Sequence, residues 1–470
     1  MTDTFLLLDM EEILGATGGR LLQSGAVHFT GVSTDSRAIG GGELFVALKG
    51  DRYDGNDFLA ASLERASGAI VSREPDMPLP AGKGVVLVPD TLKALQQMAR
   101  RIRMKKPGMP VVGVTGSNGK TTTKELAACV LGAKKFMPLL KSHGNLNNHI
   151  GLPLNLCRLE APHQAAVLEM GASRPGDIQE LCDIAEPTHG IITNIGRSHL
   201  EGYPGGMEQI ADTKLALARA ANTVIYNADD PVLSRAVDGE FRGRKQKTLI
   251  SFGIREEARL RASAIEMDAG GAASSFGLSA GGPVVRARLE APGLFNVYNA
   301  LAAVAAGLAF GIGLEEAAEA LEEFRGVPMR YEIRELGGAT LLSDVYNANP
   351  ASMEEAVKEL VRLRRGRAVA VLGDMLELGG YSEEAHRGLG GRLGVLPVDV
   401  FIAVGPMMGL ALEEFKNAGA GRLAIACEDS ARAQKELMAN LRPGDTVLIK
   451  GSRGMKMEKV LPEGSKADAL

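Results

Sequence analysis

The chain is poor in the features that mark secretion, membrane insertion or nucleic-acid binding. It has four cysteines in 470 residues. Cys129, Cys157, Cys182 and Cys427 stand far apart with no C-x-x-C pairing, so their spacing indicates neither a zinc site nor a disulfide framework. No apolar run is as wide as a bilayer. The uncharged stretch 291–314 is broken by Pro292, Asn296 and Asn299, and its apolar part, 300–314, falls short of the roughly 20 residues a span requires. It reads as a buried, Ala-rich helix. Neither sign of charge dominates, because 53 Lys and Arg face 57 Asp and Glu for a net charge of -4. That balance leaves no polycationic footprint for nucleic acid. The first four residues are acidic rather than basic, and 5–8 is too short for a signal-peptide core. There is no internal repeat or low-complexity tract. These absences together point to a cytoplasmic protein.

What remains is an ordinary globular composition, 45% hydrophobic and 23% charged, long enough for about three domains. Residues 1–105 read as short strands and loops, with turn signals at Gly40-Gly41-Gly42 and Gly50-Asp51-Arg52. Lys105-Lys106-Pro107-Gly108 reads as a linker. Short apolar strands follow at 111–114, 165–168, 190–193 and 223–226, separated by helical patterns such as 124–131. That alternation predicts a parallel sheet covered by helices. From 251 to 289 the text turns to Gly-rich hairpins, expected as a small sheet appended to this domain. A second α/β pattern begins near Gly326, with strands at 341–344, 368–372, 400–404 and 446–449. Residues 462–470 read as a tail. The division expected is 1–105, 106–325 and 326–470, a mixed domain followed by two α/β units.

The segment Gly113-Val114-Thr115-Gly116-Ser117-Asn118-Gly119-Lys120-Thr121-Thr122 follows a strand and opens a helix. Glycines there let backbone N–H groups turn inward around phosphate oxygens, and the helix N-terminus adds a favourable dipole. Lys120 is placed to reach the β- and γ-phosphates, and the hydroxyl of Thr121 or Thr122 to ligate Mg²⁺. The strict motif has Gly where Val114 stands, so this is a variant loop. An ordinary strand–helix turn does not account for Gly-Lys-Thr at the helix start. Glu169 ends the next strand on the side where open α/β sheets bind ligands, suited to Mg²⁺ directly or through water. His199, past the strand that ends near Asn194, gains weight from that position; a lone His is more often a surface or core residue. These residues point to an ATP-dependent enzyme and leave its acceptor open.

Taken together, the residues resemble the Mur ligases of bacterial cell-wall synthesis over essentially the whole chain. The phosphate loop, Gly116, Ser117, Asn118, Gly119, Lys120 and Thr121, is similar to the family's nucleotide loop. Glu169 and His199 match its metal-binding pair, Asn296 and Asn299 its nucleotide-side asparagines, Arg330 the Arg opening its third domain, and Asp344 the Asp at the next strand end. Lys214 matches a lysine that the family carbamylates to place a second Mg²⁺. Adding CO₂ turns a cation into an anion that can face a metal. Read alone, Lys214 is a solvated helix lysine. The resemblance implies a three-domain architecture: a mixed N-terminal domain, a central P-loop parallel-sheet ATPase domain and a C-terminal Rossmann-like α/β domain.

Within the family, the phrases Gly144-Asn145-Leu146-Asn147-Asn148-His149-Ile150-Gly151, 344–350 and 372–379 resemble the branch that adds a dipeptide. The Asp-Asn-Pro-Arg motif of the sister branch, which adds diaminopimelate or lysine to UDP-N-acetylmuramoyl-dipeptide, has no match. The partners implied are UDP-N-acetylmuramoyl-tripeptide, D-alanyl-D-alanine, ATP and Mg²⁺, with no nucleic acid and no membrane span, in a monomer. Ser36 and Arg37, in Ser33-Thr34-Asp35-Ser36-Arg37, resemble the family's uridine-nucleotide site; without the resemblance the stretch is a plain surface hairpin. The family's Asp-Gly-His reads Asp54-Gly55-Asn56 here, and Asn cannot carry charge.

The implied chemistry is amide synthesis through an acyl phosphate, with Lys120, Glu169, His199, Lys214, Arg330 and Asp344 around the reacting groups. Asn145, Asn147, Asn148, Tyr346, Asn347 and Asn349 are candidates for substrate recognition. Closure of the third domain over the nucleotide is expected, because an acyl phosphate must be kept from water. Folylpolyglutamate synthetase shares the fold and loop, but it lacks a uridine-nucleotide domain. A catalytically idle nucleotide-binding module is the reading from another class, and the intact Lys120, Glu169, His199 and Lys214 weigh against it.

Overall fold

The computed structural model describes residues 7–268, 270–418, 421–462 and 466–467. Among them the strands form three sheets. The first, ordered Arg20–Gln23, Gly84–Leu87, Gly68–Val71, Leu44–Val46, Val32–Ser33, is parallel except at its first pairing. The reading of short strands and loops left out two helices, Met10–Thr17 and Thr91–Met104, which pack on this sheet and are capped by Asp9 and Asp90.

The expected linker at 105–108 is not a free hinge. Arg103, 2% exposed, donates to the carbonyls of Ala185 and Met109 at 2.9 and 3.1 Å. Lys105 Nζ lies 2.7 Å from Glu12 Oε2. One apolar core runs from Ile13, Leu95 and Ile102 into Leu152, Leu168 and Leu181, so the first unit and the central sheet share their packing.

The central sheet runs Leu139–Lys141, Ala165–Glu169, Val111–Thr115, His189–Ile192, Thr223–Asn227, Thr248–Gly253, Leu260–Met267, Ser274–Ser279, Val285–Leu289. The hairpins expected as a separate small sheet instead continue this one. Thr248–Gly253 pairs in parallel with Thr223–Asn227, and Ser274–Ser279 then turns antiparallel. The strand Val111–Thr115 is buried at every position, because helices cover both faces. Helix Leu294–Ala309 is the buried Ala-rich helix expected near 300–314, displaced toward its N-terminal end. Small Ala side chains let it lie close against Lys120–Lys134. No described helix is long and apolar enough to cross a membrane, and all four cysteines are free.

The third sheet is ordered Leu423–Cys427, Val400–Val404, Ala368–Gly373, Thr446–Lys450, Ala339–Asp344, Glu332–Leu336, Lys466–Ala467. Glu332–Leu336 and Leu423–Cys427 escaped the sequence reading: the first is largely charged, and both are only partly buried at a sheet edge or beside one. The expected tail contributes the edge pairing of Arg334 with Ala467. Residues 463–465 and 468–470 lie outside the described residues.

Candidate functional site

The C-terminal ends of the parallel strands in the second and third sheets face a shared cavity of about 600 Å³. Its walls include the loop Ser117–Thr122, Asn145, Asn147, Asn148, Glu169, His199, Asn296, Asn299, Arg330, Asp344, Tyr346, Asn347 and Asn349. Most of the residues singled out from the sequence therefore converge on one place. Lys214 stands behind the wall, and Ser36 and Arg37 are not part of it.

The loop's glycines are demanded by contact. Gly116 has φ +150° and Gly119 φ +81°; a Cβ at the first would come 1.9 Å from Thr193 Oγ1, and at the second 2.3 Å from Asn299 Oδ1. Val114, where the strict motif has Gly, still belongs to the buried strand, so the turn starts later and needs no Gly there. The loop is tied to the strand-end residues Thr193 and Asn194. Asn118 N–H donates to Asn194 Oδ1 at 2.9 Å, and Asn194 Nδ2 returns to Asn118 O at 3.0 Å. Lys120 Nζ donates to Gly116 O at 2.7 Å and Ser117 O at 3.2 Å. Burial lowers its pKa, Glu169 opposes the shift, and Arg330 adds to it.

Glu169 is 2% exposed. Its Oε1 accepts from Asn147 Nδ2 at 2.7 Å, while Oε2 has no partner. A buried carboxylate oxygen left free costs energy unless a ligand takes it. Among the described residues no cluster of three or more His, Cys, Asp or Glu could hold a metal unaided. One free carboxylate oxygen in a cavity also lined by Thr121 and the phosphate loop fits Mg²⁺, which keeps most of its shell as water and phosphate oxygen. Thr121, Glu169 and His199 are the wall residues that could hold it.

His199 Nδ1 lies 2.5 Å from Glu377 Oε2, within ion-pair distance but without the angle of a formed hydrogen bond. The imidazole pulls the Glu377 carboxyl below its ordinary pKa. Lys214, 3% exposed in helix Gly206–Ala220, has no carboxylate partner among the described residues. Burial, then the charge of Lys120, pulls its pKa from 10.5 down to about 7. The solvated helix lysine of the sequence reading is thus a buried amine.

Asn296 and Asn299 reach the cavity but are bonded to one another, Asn299 Nδ2 donating to Asn296 Oδ1 at 3.0 Å. Asn296 also donates to Pro292 O, and Asn299 Oδ1 accepts from Thr123 at 3.2 Å. They lock helix Leu294–Ala309 onto the loop's own helix. Asn148 Oδ1 accepts from the N–H groups of Ile150 and Gly151, which starts the following helix.

From the third unit, Arg330 sits between two residues with positive φ, Met329 at +65° and Tyr331 at +55°. Its guanidinium lies 3.9 Å from the Tyr346 ring centroid and donates toward Thr121 Oγ1 at 3.4 Å. Asp344 is not a free carboxylate. Lys450, its register neighbour and 2% exposed, pairs with it and donates to Asn347 O at 2.9 Å. Lys450 was missed because only the pairing of Thr446–Lys450 with Ala339–Asp344 shows where its charge goes. Asn349 caps helix Pro350–Leu363 through Ser352 N and donates to Asn118 Oδ1 at 2.7 Å, linking that helix to the phosphate loop.

In the first unit Arg37 and Asp35 form a bidentate pair, the Arg37 side chain 88% exposed, and Asp35 drops to about 2 through it. Asn56 turns inward, donating to Asp54 and Ser72 and accepting from Ser72 N–H. It staples a turn, a task for which neutral Asn suffices.

Comparison with known proteins covers nearly the whole chain. Residues 28–103 match the profile described as Mur ligase family, catalytic domain; 114–307 match Mur ligase middle domain; 329–453 match Mur ligase, glutamate ligase domain. The UDP-N-acetylmuramoyl-tripeptide--D-alanyl-D-alanine ligase of Bacillus subtilis is 34% identical over 461 residues, 96% of either chain. A crystal structure of MurF from Acinetobacter baumannii superposes with a TM-score of 0.86 at 32% identity, covering 96% of this chain and 97% of the other. MurF ligase from Thermotoga maritima in complex with ADP gives 0.77 at 30% identity, covering 92% and 96%.

Proposed function

The chain belongs to the Mur ligase family, and from that membership we infer that it joins D-alanyl-D-alanine to UDP-N-acetylmuramoyl-tripeptide, using ATP, in peptidoglycan precursor synthesis. The observation that carries this reading is the near full-length match to a ligase of that name, which spans all three units rather than the phosphate loop alone. In this assignment residues 1–105 take the uridine nucleotide, 106–325 the ATP, and 326–470 the incoming dipeptide. The reading takes the chain as a monomer in the cytoplasm, where nucleotide-linked substrates are found.

The chemistry has two steps. The terminal carboxylate of the tripeptide attacks the γ-phosphorus of ATP, giving an acyl phosphate and ADP. The neutral amine of the dipeptide then attacks the acyl carbon, and phosphate leaves with one oxygen of the original carboxylate. The first step brings two anions together, so it needs fixed positive charge aimed at the transferring group. Lys120 and the N-terminus of the helix it opens serve the phosphates from one side. Arg330, held flat on Tyr346, serves them from the other. Mg²⁺ held at Thr121, Glu169 and His199 would neutralise phosphate charge, a role in which Lys214 supports it once carbamylated. Asn147 orients Glu169. Asp344 is charge-balanced by Lys450, so its remaining lone pairs suit a neutral ribose hydroxyl better than a cation. Tyr346, Asn347 and Asn349 line the side from which a dipeptide would arrive, beside Asn145 and Asn148. Ser36 and Arg37 remain for the uridine nucleotide, at a distance from the reacting groups.

The test is phosphate release and product mass with UDP-N-acetylmuramoyl-tripeptide, comparing D-alanyl-D-alanine with diaminopimelate, lysine and D-alanine. A product heavier by the dipeptide alone supports the reading. Extension of UDP-N-acetylmuramoyl-dipeptide by a single amino acid would transfer the chain to the sister branch. Silence in every combination would leave a nucleotide-binding module.

A further inference from the structure

Two short loops from different units meet beside the cavity, and both are held in backbone shapes that cost energy. His199 has φ +53° and Glu377 φ +63°, a region that bulky residues adopt only when the surroundings impose it. The imposition is visible here. Glu201 N–H donates to Glu377 O at 3.3 Å. Gly379, at φ +55°, lies so close that a Cβ there would come 3.3 Å from Glu201 Cα. Arg197 stacks 4.5 Å from the Tyr381 ring centroid. The result is a carboxylate of the third unit placed 2.5 Å from one ring nitrogen of a central-unit histidine.

An imidazole whose Nδ1–H faces a carboxylate keeps its Nε2 lone pair for something else. Histidines that hold metals are commonly oriented this way by an outer carboxylate. We propose that Glu377 is a positioning residue: the third unit, on docking, brings its carboxylate to His199 Nδ1 and thereby turns Nε2 into the cavity, so that the metal-holding set is complete only in the docked arrangement. The inference rests on the reading of His199 as a metal ligand. It adds a reason for the order of events, because phosphate charge is neutralised only once the loop that brings Glu377 has arrived, and water is being excluded at the same time. Glu377 touches neither nucleotide nor dipeptide in this scheme and acts through the ring alone.

The experiment measures Mn²⁺ binding to the full chain with ADP present, by the loss of the free-ion paramagnetic resonance signal. Glu377→Ala is expected to weaken binding about tenfold or more, the range seen when outer-shell partners of metal ligands are removed. Glu377→Gln should retain most of the affinity, because its amide oxygen can present an acceptor to Nδ1–H at the same place. Glu377→Ala in a His199→Ala background should cost nothing further. Gly379→Val pushes the loop away from Glu201 while keeping both the Glu377 and His199 side chains in the sequence, and should mimic Glu377→Ala. The Glu377 side chain is 59% exposed, so the fold tolerates its loss, which circular dichroism would verify. Wild-type affinity in Glu377→Ala alongside weak binding in His199→Ala would overturn the proposal and leave the metal reading standing. Wild-type affinity in both would remove the two together. A further loss from Glu377→Ala when His199 is already absent would show that the carboxylate does not act through the ring.

Discussion

The central and third sheets both end parallel strands on the same cavity, yet they treat charge there in opposite ways. On the central side Glu169 keeps an oxygen free among the described residues, and Lys120 bonds to the loop carbonyls of Gly116 and Ser117. On the third side Lys450 and Asp344, neighbours in register, neutralise each other. Arg330, Glu377 and Asn349 are among the third-unit groups that reach across, toward Thr121, His199 and Asn118. An unsatisfied buried group is costly and is kept where it meets a ligand; a self-paired one stabilises its own fold. The comparison assigns phosphoryl chemistry to the central unit, and docking and positioning to the third.

Predictions that break or sharpen this contrast run from large to small. Gly119→Ala forces a Cβ 2.3 Å from Asn299 Oδ1 at positive φ. It is expected to lower ligase activity by about a thousandfold or more, as the loop can no longer cradle phosphate, with the fold retained by circular dichroism. Lys450→Met leaves Asp344 without its counter-charge and should cost about 3–5 kcal/mol in the third unit, measured by denaturant unfolding. The double change with Asp344→Leu should recover much of that loss; equal loss in both would mean the pair does not act as a unit.

Lys214 comes next. With its pKa near 7, roughly half of the amines are neutral at that pH, and only the neutral form adds CO₂. Activity should therefore fall below pH 7 and rise on adding bicarbonate, while Lys214→Met should lose about a hundredfold and ignore bicarbonate. Bicarbonate independence of the wild type would remove carbamylation from the account. Smallest is Arg37→Ala, which should raise KM for the uridine substrate about tenfold and leave kcat and Tm unchanged, because its pair with Asp35 is solvent-screened.

The legible part of this molecule was written in local signals. The phosphate loop declares itself through glycines between a strand and Gly-Lys-Thr, and the packing shows why each glycine is needed. Glu169 was reachable because a charge at the end of an apolar strand is locally odd, whereas Arg330 was reachable only through the family resemblance. What escaped depends on register and docking. The hairpin region after residue 251 looked like a separate sheet because its Gly-rich turns hide the parallel pairing of Thr223–Asn227 with Thr248–Gly253. Lys450 and Glu377 are ordinary charges until their neighbours from distant segments are known. Asn56 put a family contact in question, whereas its amide bonds to Asp54 in its own turn and twice to Ser72, past the strand Gly68–Val71.

The central claim is that the phosphate loop delivers its phosphoryl group to a substrate carboxylate and not to water. The direct measurement uses UDP-N-acetylmuramoyl-tripeptide labelled with ¹⁸O in its terminal carboxylate, turned over with ATP and D-alanyl-D-alanine, with the released phosphate read by mass spectrometry. The account predicts one ¹⁸O in each phosphate formed and the other retained in the new amide. Unlabelled phosphate beside a fully formed product would contradict it.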